Sequence, residues 1–227
     1  MNTQNRTSTP PNYGYLNQRQ IYFSSNYWGI PMMRSTGISP VPQQLIRYRK
    51  RIRTAGQQLK AEKSAVHFFA DDRDFEVTWS TPNKPLDYLS KFKAILTPDF
   101  SLYRDWPVTM QLWNVYRNRW VGCFWQDHGY TVIPTISWSN QASWEFAFEG
   151  IVSGSLVAVS SVGINRHDAT EVSLFLDGYA EMLNRLNPCA VLYCGSDIEG
   201  CTEWVETHCY PTLWDDARTS MTQTVAS

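Results

Sequence analysis

The chain of 227 residues lacks strong net charge and long apolar runs. Its formal net charge is −1, so the whole molecule has no general attraction for a polyanion. No apolar run approaches the roughly 20 residues of a membrane-spanning helix, and the polar first residues do not resemble a secretory signal. We therefore expect a cytoplasmic protein that does not act at a membrane.

Common catalytic and cofactor motifs are absent as well. Without G-x-G-x-x-G or G-x-x-x-x-G-K-[ST], a dinucleotide fold or a P-loop is not expected, and without G-x-S-x-G nothing indicates a hydrolase nucleophile. The five cysteines are odd in number and irregularly spaced, which predicts reduced thiols. Their spacing does not match paired zinc ligands, so the sequence predicts no metal site of this kind.

What the chain does contain is a series of five short apolar runs, each ending in polar residues. They are AVHFFADD (65–72), KAILTPDFS (93–101), YTVIPTISWS (130–139), SLVAVSSVG (155–163) and CAVLYCGS (189–196). Continuous apolar runs of this length are typical of buried parallel strands. Segments with helical periodicity lie between them, at 85–92, 107–128, 141–148 and 168–186.

This alternation predicts an α/β fold with repeated βα units, a mostly parallel sheet and flanking helices. An open three-layer sheet is the favoured arrangement, and a partial or irregular barrel is the alternative. The length predicts one α/β domain, at 64–212. We expect an irregular and basic segment at 21–63 packed on this core, and disordered polar tails at 1–20 and 213–227.

The polar residues at the strand ends are the first candidates for a site, because ligands bind beyond the carboxyl ends of parallel strands. Asp71, Asp72 and Asp99 are candidate catalytic carboxylates, which could also hold Mg²⁺ if they converge. Alternatively, they cap or terminate elements in solvent. Ser137, Trp138 and Ser160 are candidate ligand-binding residues, although serines at such positions are also typical of turns.

A second set of polar residues lies on the predicted helix 107–128. Asn114, Arg117 and Asn118 share one face because they are three and four residues apart. Together with Arg104 and Arg119 they could present donors to a phosphate or carboxylate. The alternative is a solvated helix face.

The sharpest charge feature is the stretch 45–63, which carries a net charge of +6 while the rest of the chain sums to −7. Such a stretch can neutralise phosphates of DNA or RNA, and it can also be an edge strand or helix in solvent. No groove-reading motif accompanies it, so contacts would be directed to the backbone. The candidate nucleic-acid-binding residues are Arg47, Arg49, Lys50, Arg51 and Arg53.

Three segments resemble the domain of unknown function 4417 family of bacteria, phages and mobile elements. They are VHFFADDRDFEVTW, KAILTPDFSLYRDWPVTMQLWNVYRNRWVGCFWQDHGYTVIPTISW and SLVAVSSVGINR, and the similarity covers about residues 28–197. The resemblance implies an α/β domain in a phage or mobile element, and it implies no activity. Residues of the long block that match the family's signature become candidate ligand-binding residues: Asp99, Ser101, Tyr103, Gln111, Asn114, Tyr116 and Arg117.

Three hypotheses about function follow. The favoured one is a nucleic-acid-associated accessory protein of a phage or mobile element that binds DNA or RNA through the basic stretch. The second is an enzyme that binds a nucleotide or phosphorylated ligand at the strand ends, with an unknown cofactor for which Mg²⁺ is a candidate. The third is a protein–protein interaction module that binds a host factor through exposed aromatic residues.

Overall fold

The computed structural model describes residues 19–37, 41–48 and 60–211 of the chain. They contain seven strands, and helices separate most of them along the chain. The strands are β1 (Leu45–Arg47), β2 (Ala65–His67), β3 (Ala94–Leu96), β4 (Val132–Ile133), β5 (Leu156–Ser160), β6 (Ala190–Cys194) and β7 (Thr207–Tyr210). The α-helices are α1 (Asp72–Phe75), α2 (Val77–Ser80), α3 (Leu86–Leu89), α4 (Val108–Asp127), α5 (Trp144–Ala147) and α6 (Ala169–Leu186).

All strand pairs are parallel, and the strands are ordered as they occur along the chain. One sheet has the order β1-β2-β3-β4 and the other β5-β6-β7, and a parallel bridge between Thr135 and Ala158 joins them. The α/β class predicted from the sequence is therefore confirmed. The strand order lacks the reversal that characterises a doubly wound sheet. The structure therefore favours the alternative, a partial or irregular barrel, over the open three-layer sheet.

Alternate side chains of six strands meet in one apolar cluster. We infer from this that the strands curve around the cluster. Ala65, Leu96, Ile133, Ala158 and Leu192 are among its members, and all are buried. The Tyr210 hydroxyl, at the end of β7, donates to the Pro42 carbonyl ahead of β1 at 2.8 Å. No strand pairing joins β7 to β1 in the described part of the chain. The architecture is thus a partial, irregular barrel.

The other face of the sheet packs against the two long helices. Helix α6 follows its sequence prediction closely: the Asp168 carboxylate accepts from the Thr170 and Glu171 amides at 2.9 and 3.3 Å, and Asn187 ends the helix in a left-handed conformation just before Pro188. Its Tyr179 and Met182 are fully buried against the strands. The Glu171 carboxylate, in the first turn, accepts from the Asn165 amide at 2.8 Å.

Helix α4 coincides with the predicted helix 107–128, but it is largely buried and not a surface helix. It is covered by the sheet on one side and by residues 19–37 on the other. The Trp120 indole donates to the Gln20 carbonyl at 2.8 Å, and the Met33 amide donates to the Gly150 carbonyl at 2.9 Å. A Cβ at Gly122 would lie 2.6 Å from the Met33 sulfur, so glycine permits this close approach.

Two further observations concern the described residues as a whole. No helix among them has the length and apolar character needed to cross a bilayer. All five cysteines are free thiols. The tails predicted to be disordered, 1–20 and 213–227, lie outside the described residues, apart from residues 19 and 20.

Candidate functional site

A cavity of about 580 Å³ opens at the carboxyl ends of the strands. Five successive strands, β1 to β5, contribute to its wall through their last residues or the loops that follow, and the first two turns of α6 complete it. A volume of this size is within the usual range for small-molecule sites. The location is the one that parallel α/β folds use for ligands.

The predicted site residues divide between this cavity and its supports. Those that line the cavity are Asp71, Asp99, Ser101, Tyr103, Ser137, Trp138, Ser160 and Arg47. Those outside its wall are Asp72, Gln111, Asn114, Tyr116 and Arg117. Arg49, Lys50, Arg51 and Arg53 lie outside the described residues.

Asp99 is the most unusual titratable group of the cavity. Its Oδ1 atom is buried and has no hydrogen-bond partner among the described residues, although part of the residue remains accessible from the cavity. Burial raises the pKa of this carboxyl from 3.8 to about 7, a hydrogen bond from Ser137 and the charge of Arg119 oppose the rise, and Asp72 adds to it. Asp99 therefore exchanges its proton close to neutral pH, as general acids and bases do.

The neighbouring carboxylates have structural partners. Asp72 accepts from the Ser101 hydroxyl at 2.8 Å and from the Ser101 amide at 3.2 Å, which holds the loop after β3. The exposed Asp71 pairs with Arg73 at 3.0 Å. No group of three or more His, Cys, Asp or Glu side chains that could hold a metal ion occurs in the described ranges. The three carboxylates thus do not converge on one point, and Mg²⁺ stays a prediction.

The polar face of α4 is buried rather than solvated. Asn118 donates to the Pro98 carbonyl at 2.8 Å, and Asn114 donates to the Ser101 carbonyl at 2.6 Å. Arg117 pairs with Glu76 at 2.9 Å, donates to Asn114 at 2.7 Å and lies 3.8 Å from the centre of the Phe100 ring. These donors fix the loop after β3, because its buried carbonyls need partners.

Arg119 extends the same support to the loop after β4 and to the end of α5. Its guanidinium donates to the carbonyls of Ala147, Glu149 and Thr135 at 2.8, 3.0 and 3.0 Å, and to the side-chain oxygen of Asn118 at 2.6 Å. The residue is 1% exposed, and burial lowers the pKa of the guanidinium to about 10. It is still a cation at neutral pH, and its charge partly offsets the desolvation of Asp99.

Gln111 and Tyr116 also lie outside the cavity wall and make structural contacts. The Ser139 hydroxyl donates to Gln111 at 2.6 Å, and Gln111 donates to the Trp106 carbonyl at 2.9 Å. Tyr116 stacks on Trp113, with ring centres 5.5 Å apart. Gln111 therefore holds the loop after β4, and Tyr116 contributes to aromatic packing.

An aromatic wall closes one side of the cavity. Trp138 packs against Phe175, with ring centres 5.5 Å apart, and its indole donates to the Leu174 carbonyl at 3.2 Å. A Cβ at position 178 would overlap the indole nitrogen, so only glycine in α6 leaves room for Trp138. This packing fixes the orientation of a large side chain at the cavity wall.

Sequence reasoning missed part of the wall. Its additional residues are Phe69, Ala70, Leu102, Ile136, Ser139, Val159, Val162, Gly163, Ile164, Glu171, Leu174 and Phe175. Most are apolar and carry no chemical signal in a sequence. Ser139 is the last residue of the apolar run 130–139 and could have been nominated with the other polar residues of that strand end. Arg104, expected above as a possible donor beside the helix 107–128, also lines the cavity.

Comparison with known proteins places the chain in a family. The model of the family described as "Domain of unknown function (DUF4417)" matches residues 22–207. The chain belongs to this family. The DUF4417 signature block therefore combines residues of two kinds: Asp99, Ser101 and Tyr103 line the cavity, whereas Asn114 and Arg117 fix the loops around it.

Two phage proteins are similar to this DUF4417 chain over most of its length. The "Gene 1 protein" of Mycobacterium phage L5 is 38% identical over 217 residues, which covers 93% of this chain and 91% of that protein. The "Gene 1 protein" of Mycobacterium phage D29 is 37% identical over 217 residues, which covers 93% of this chain and 77% of that protein. No solved structure matches the chain. The comparisons support the coarser prediction of a phage accessory protein.

Proposed function

We propose that the protein is a phage accessory enzyme that binds a small polar ligand in the strand-end cavity and uses Asp99 to transfer a proton. The observation that carries this proposal is the position of Asp99, a buried carboxyl with a pKa near 7 in the wall of a cavity of about 580 Å³. Environments that shift a carboxyl pKa towards neutrality are typical of acid–base sites.

The support around Asp99 is consistent with such a role. Hydrogen bonds from α4 fix the loops that carry the neighbouring wall residues, so the cavity is largely preformed. A preformed site limits the reorganisation that binding and proton transfer require. Trp138 and Phe175 give the cavity an apolar side against which a ring can pack.

The test is a calorimetric ligand screen near pH 7, with and without MgCl₂. A panel of nucleosides, nucleotides, sugars and sugar phosphates is titrated in two buffers that differ in ionisation enthalpy. For a true ligand, we expect the binding enthalpy of the wild type to depend on the buffer, because binding changes the protonation of Asp99. Asp99→Asn should bind without this dependence, whereas Asp87→Asn, whose side chain is 93% exposed, should keep it. Absence of binding across the panel at millimolar concentration would argue against the proposal.

Nucleic-acid binding is the second candidate, and the placement of Arg47 favours it. Arg47 lies in the cavity wall, ends β1 and begins the basic run of the stretch 45–63. Its guanidinium pairs with Asp74 at 2.9 Å, and both side chains are partly exposed. This arrangement would bring a bound phosphate backbone to the edge of the cavity.

For this candidate, we expect binding of labelled single-stranded DNA, duplex DNA or RNA that weakens steeply with salt. Replacing Arg49, Arg51 and Arg53 together by Ala should abolish that binding without changing the melting temperature. Replacing Arg73, Arg166 and Arg185 by Ala removes the same charge elsewhere and serves as the control. Equal affinity of wild type and the first triple variant at low salt would exclude the basic stretch as the contact.

A further inference from the structure

The charged side chains of the cavity wall differ in how closely they pair with an oppositely charged group. Arg47 pairs with Asp74 at 2.9 Å, and Asp71 pairs with Arg73 at 3.0 Å. Both partners lie outside the wall. Two of the wall's charges are thus neutralised from outside the cavity, and a ligand would have to compete with short ion pairs to use them.

Arg104 is different. Its nearest carboxylate among the described residues is that of Glu171, and the closest approach, from Nη2 to Oε1, is 3.8 Å. This distance is too long for a direct hydrogen bond. The Arg104 side chain is 48% exposed, and the other Glu171 oxygen already accepts from the Asn165 amide at 2.8 Å. The guanidinium therefore stands in the cavity wall with its donors available.

The backbone that carries Arg104 is well anchored. Three residues earlier, Ser101 is held by Asp72 through its hydroxyl and amide, and by Asn114 through its carbonyl. Between them, Tyr103 packs edge-on against Trp106, with ring centres 4.8 Å apart. The loop thus presents the guanidinium from a fixed base, which reduces the ordering that binding requires.

Resting on the function proposed above, we propose that Arg104 selects a ligand that carries a phosphate group. A guanidinium offers a planar fork of donors that matches phosphate oxygens in a bidentate way. At the same wall, Trp138 and Phe175 provide apolar surface for the rest of the ligand, and Asp99 lies in reach of the cavity. When the cavity is empty, Glu171 balances the charge of Arg104 through their loose ion pair.

The proposal is tested with matched ligand pairs that differ only in the phosphate. Adenosine and its 5′-monophosphate, cytidine and its 5′-monophosphate, and ribose and ribose 5-phosphate are titrated against the protein, together with inorganic phosphate. Ribonic acid tests whether a carboxylate suffices. We expect the wild type to bind at least one phosphorylated member at least tenfold more tightly than its partner and than ribonic acid. Arg104→Gln should remove this difference and leave the affinity for the unphosphorylated member unchanged.

Three variants sharpen the result. Arg104→Lys should keep part of the preference, because an ammonium keeps the charge and loses the fork. Glu171→Gln should bind the phosphorylated member more tightly, since it removes a competing carboxylate. Arg34→Gln, at an exposed arginine that lies outside the wall and pairs with Asp127, should behave as the wild type.

The outcomes separate this inference from the function it rests on. Binding of both members of every pair with equal affinity, or an undiminished phosphate preference in Arg104→Gln, would overturn the role of Arg104 and leave the cavity as a ligand site. A preference for ribonic acid would replace phosphate by carboxylate and also overturn the proposal. If no member binds, both the inference and the proposed function fail.

Discussion

Replacing Arg119 by Met should lower the free energy of unfolding by about 3–5 kcal/mol, the usual cost of removing one partner from a buried polar network. The guanidinium donates to four oxygens, three of them backbone carbonyls: that of Thr135 after β4, and those of Ala147 and Glu149 at and beyond the end of α5. Methionine fills a similar volume but leaves these acceptors without the donor that replaced water. Urea unfolding of the variant and the wild type at pH 7 measures the loss, provided that the free energy of unfolding falls with urea concentration at the same slope in both proteins.

Arg73→Met is the matched control for Arg119→Met. The Arg73 side chain is 84% exposed and pairs with the exposed Asp71, so we expect a change within about 0.5 kcal/mol. If Arg119→Met does not fold, Arg119→Lys keeps the charge with fewer donors, and we expect an intermediate loss. A loss under about 1 kcal/mol in Arg119→Met would show that the strand-end loops hold their positions without this side chain.

The second prediction concerns the pH dependence that Asp99 gives to stability. Its pKa is about 7 in the folded protein, against an ordinary value of 3.8. Between these values the folded state keeps a proton that the unfolded state releases, so stability falls as pH rises through this window and levels off above it. At ~1.4 kcal/mol per pKa unit, the raised pKa of Asp99 predicts a loss on the order of 4 kcal/mol between pH 4 and pH 8.

Asp99→Asn removes the titrating group and keeps the size of the side chain. We expect its stability relative to the wild type to rise as pH increases from 4 to 8, with most of the change below about pH 7. Asp87→Asn, at an exposed carboxylate, should run parallel to the wild type over the same range. A constant difference between Asp99→Asn and the wild type at every pH would mean that Asp99 is ionised throughout, and its assignment as a neutral-pH acid or base would be wrong.

The two predictions are linked, because Arg119 and Asp99 influence each other across the strand ends. The positive charge of Arg119 lowers the pKa of Asp99. Removing it in Arg119→Met should therefore raise that pKa further and shift the pH window of stability upwards. The residues that fix the loops thus also adjust the electrostatics of the cavity, which explains how a helix outside the wall can belong to the same signature block.

Much of the fold was predictable from the sequence because its signals are local. Each of the five apolar runs contains a strand, at Ala65–His67, Ala94–Leu96, Val132–Ile133, Leu156–Ser160 and Ala190–Cys194. Helix α6 (Ala169–Leu186) matches the segment 168–186 that helical periodicity predicted. Because the carboxyl ends of parallel strands share one edge, the polar tips also predicted where a cavity would lie, and Asp99, Ser137 and Ser160 line it.

The sequence by itself thus determined the strands, the long helices and the edge of the sheet that carries the cavity. Only the tertiary structure decided how strongly the sheet curves and which polar residues face the cavity. Spacing shows that Asn114, Arg117 and Asn118 share a helix face, but the partners of that face are loop carbonyls and Glu76, some of them far away in sequence. Whether a polar side chain binds a ligand or a backbone oxygen depends on which loops the fold brings to it, and that is not encoded in local spacing.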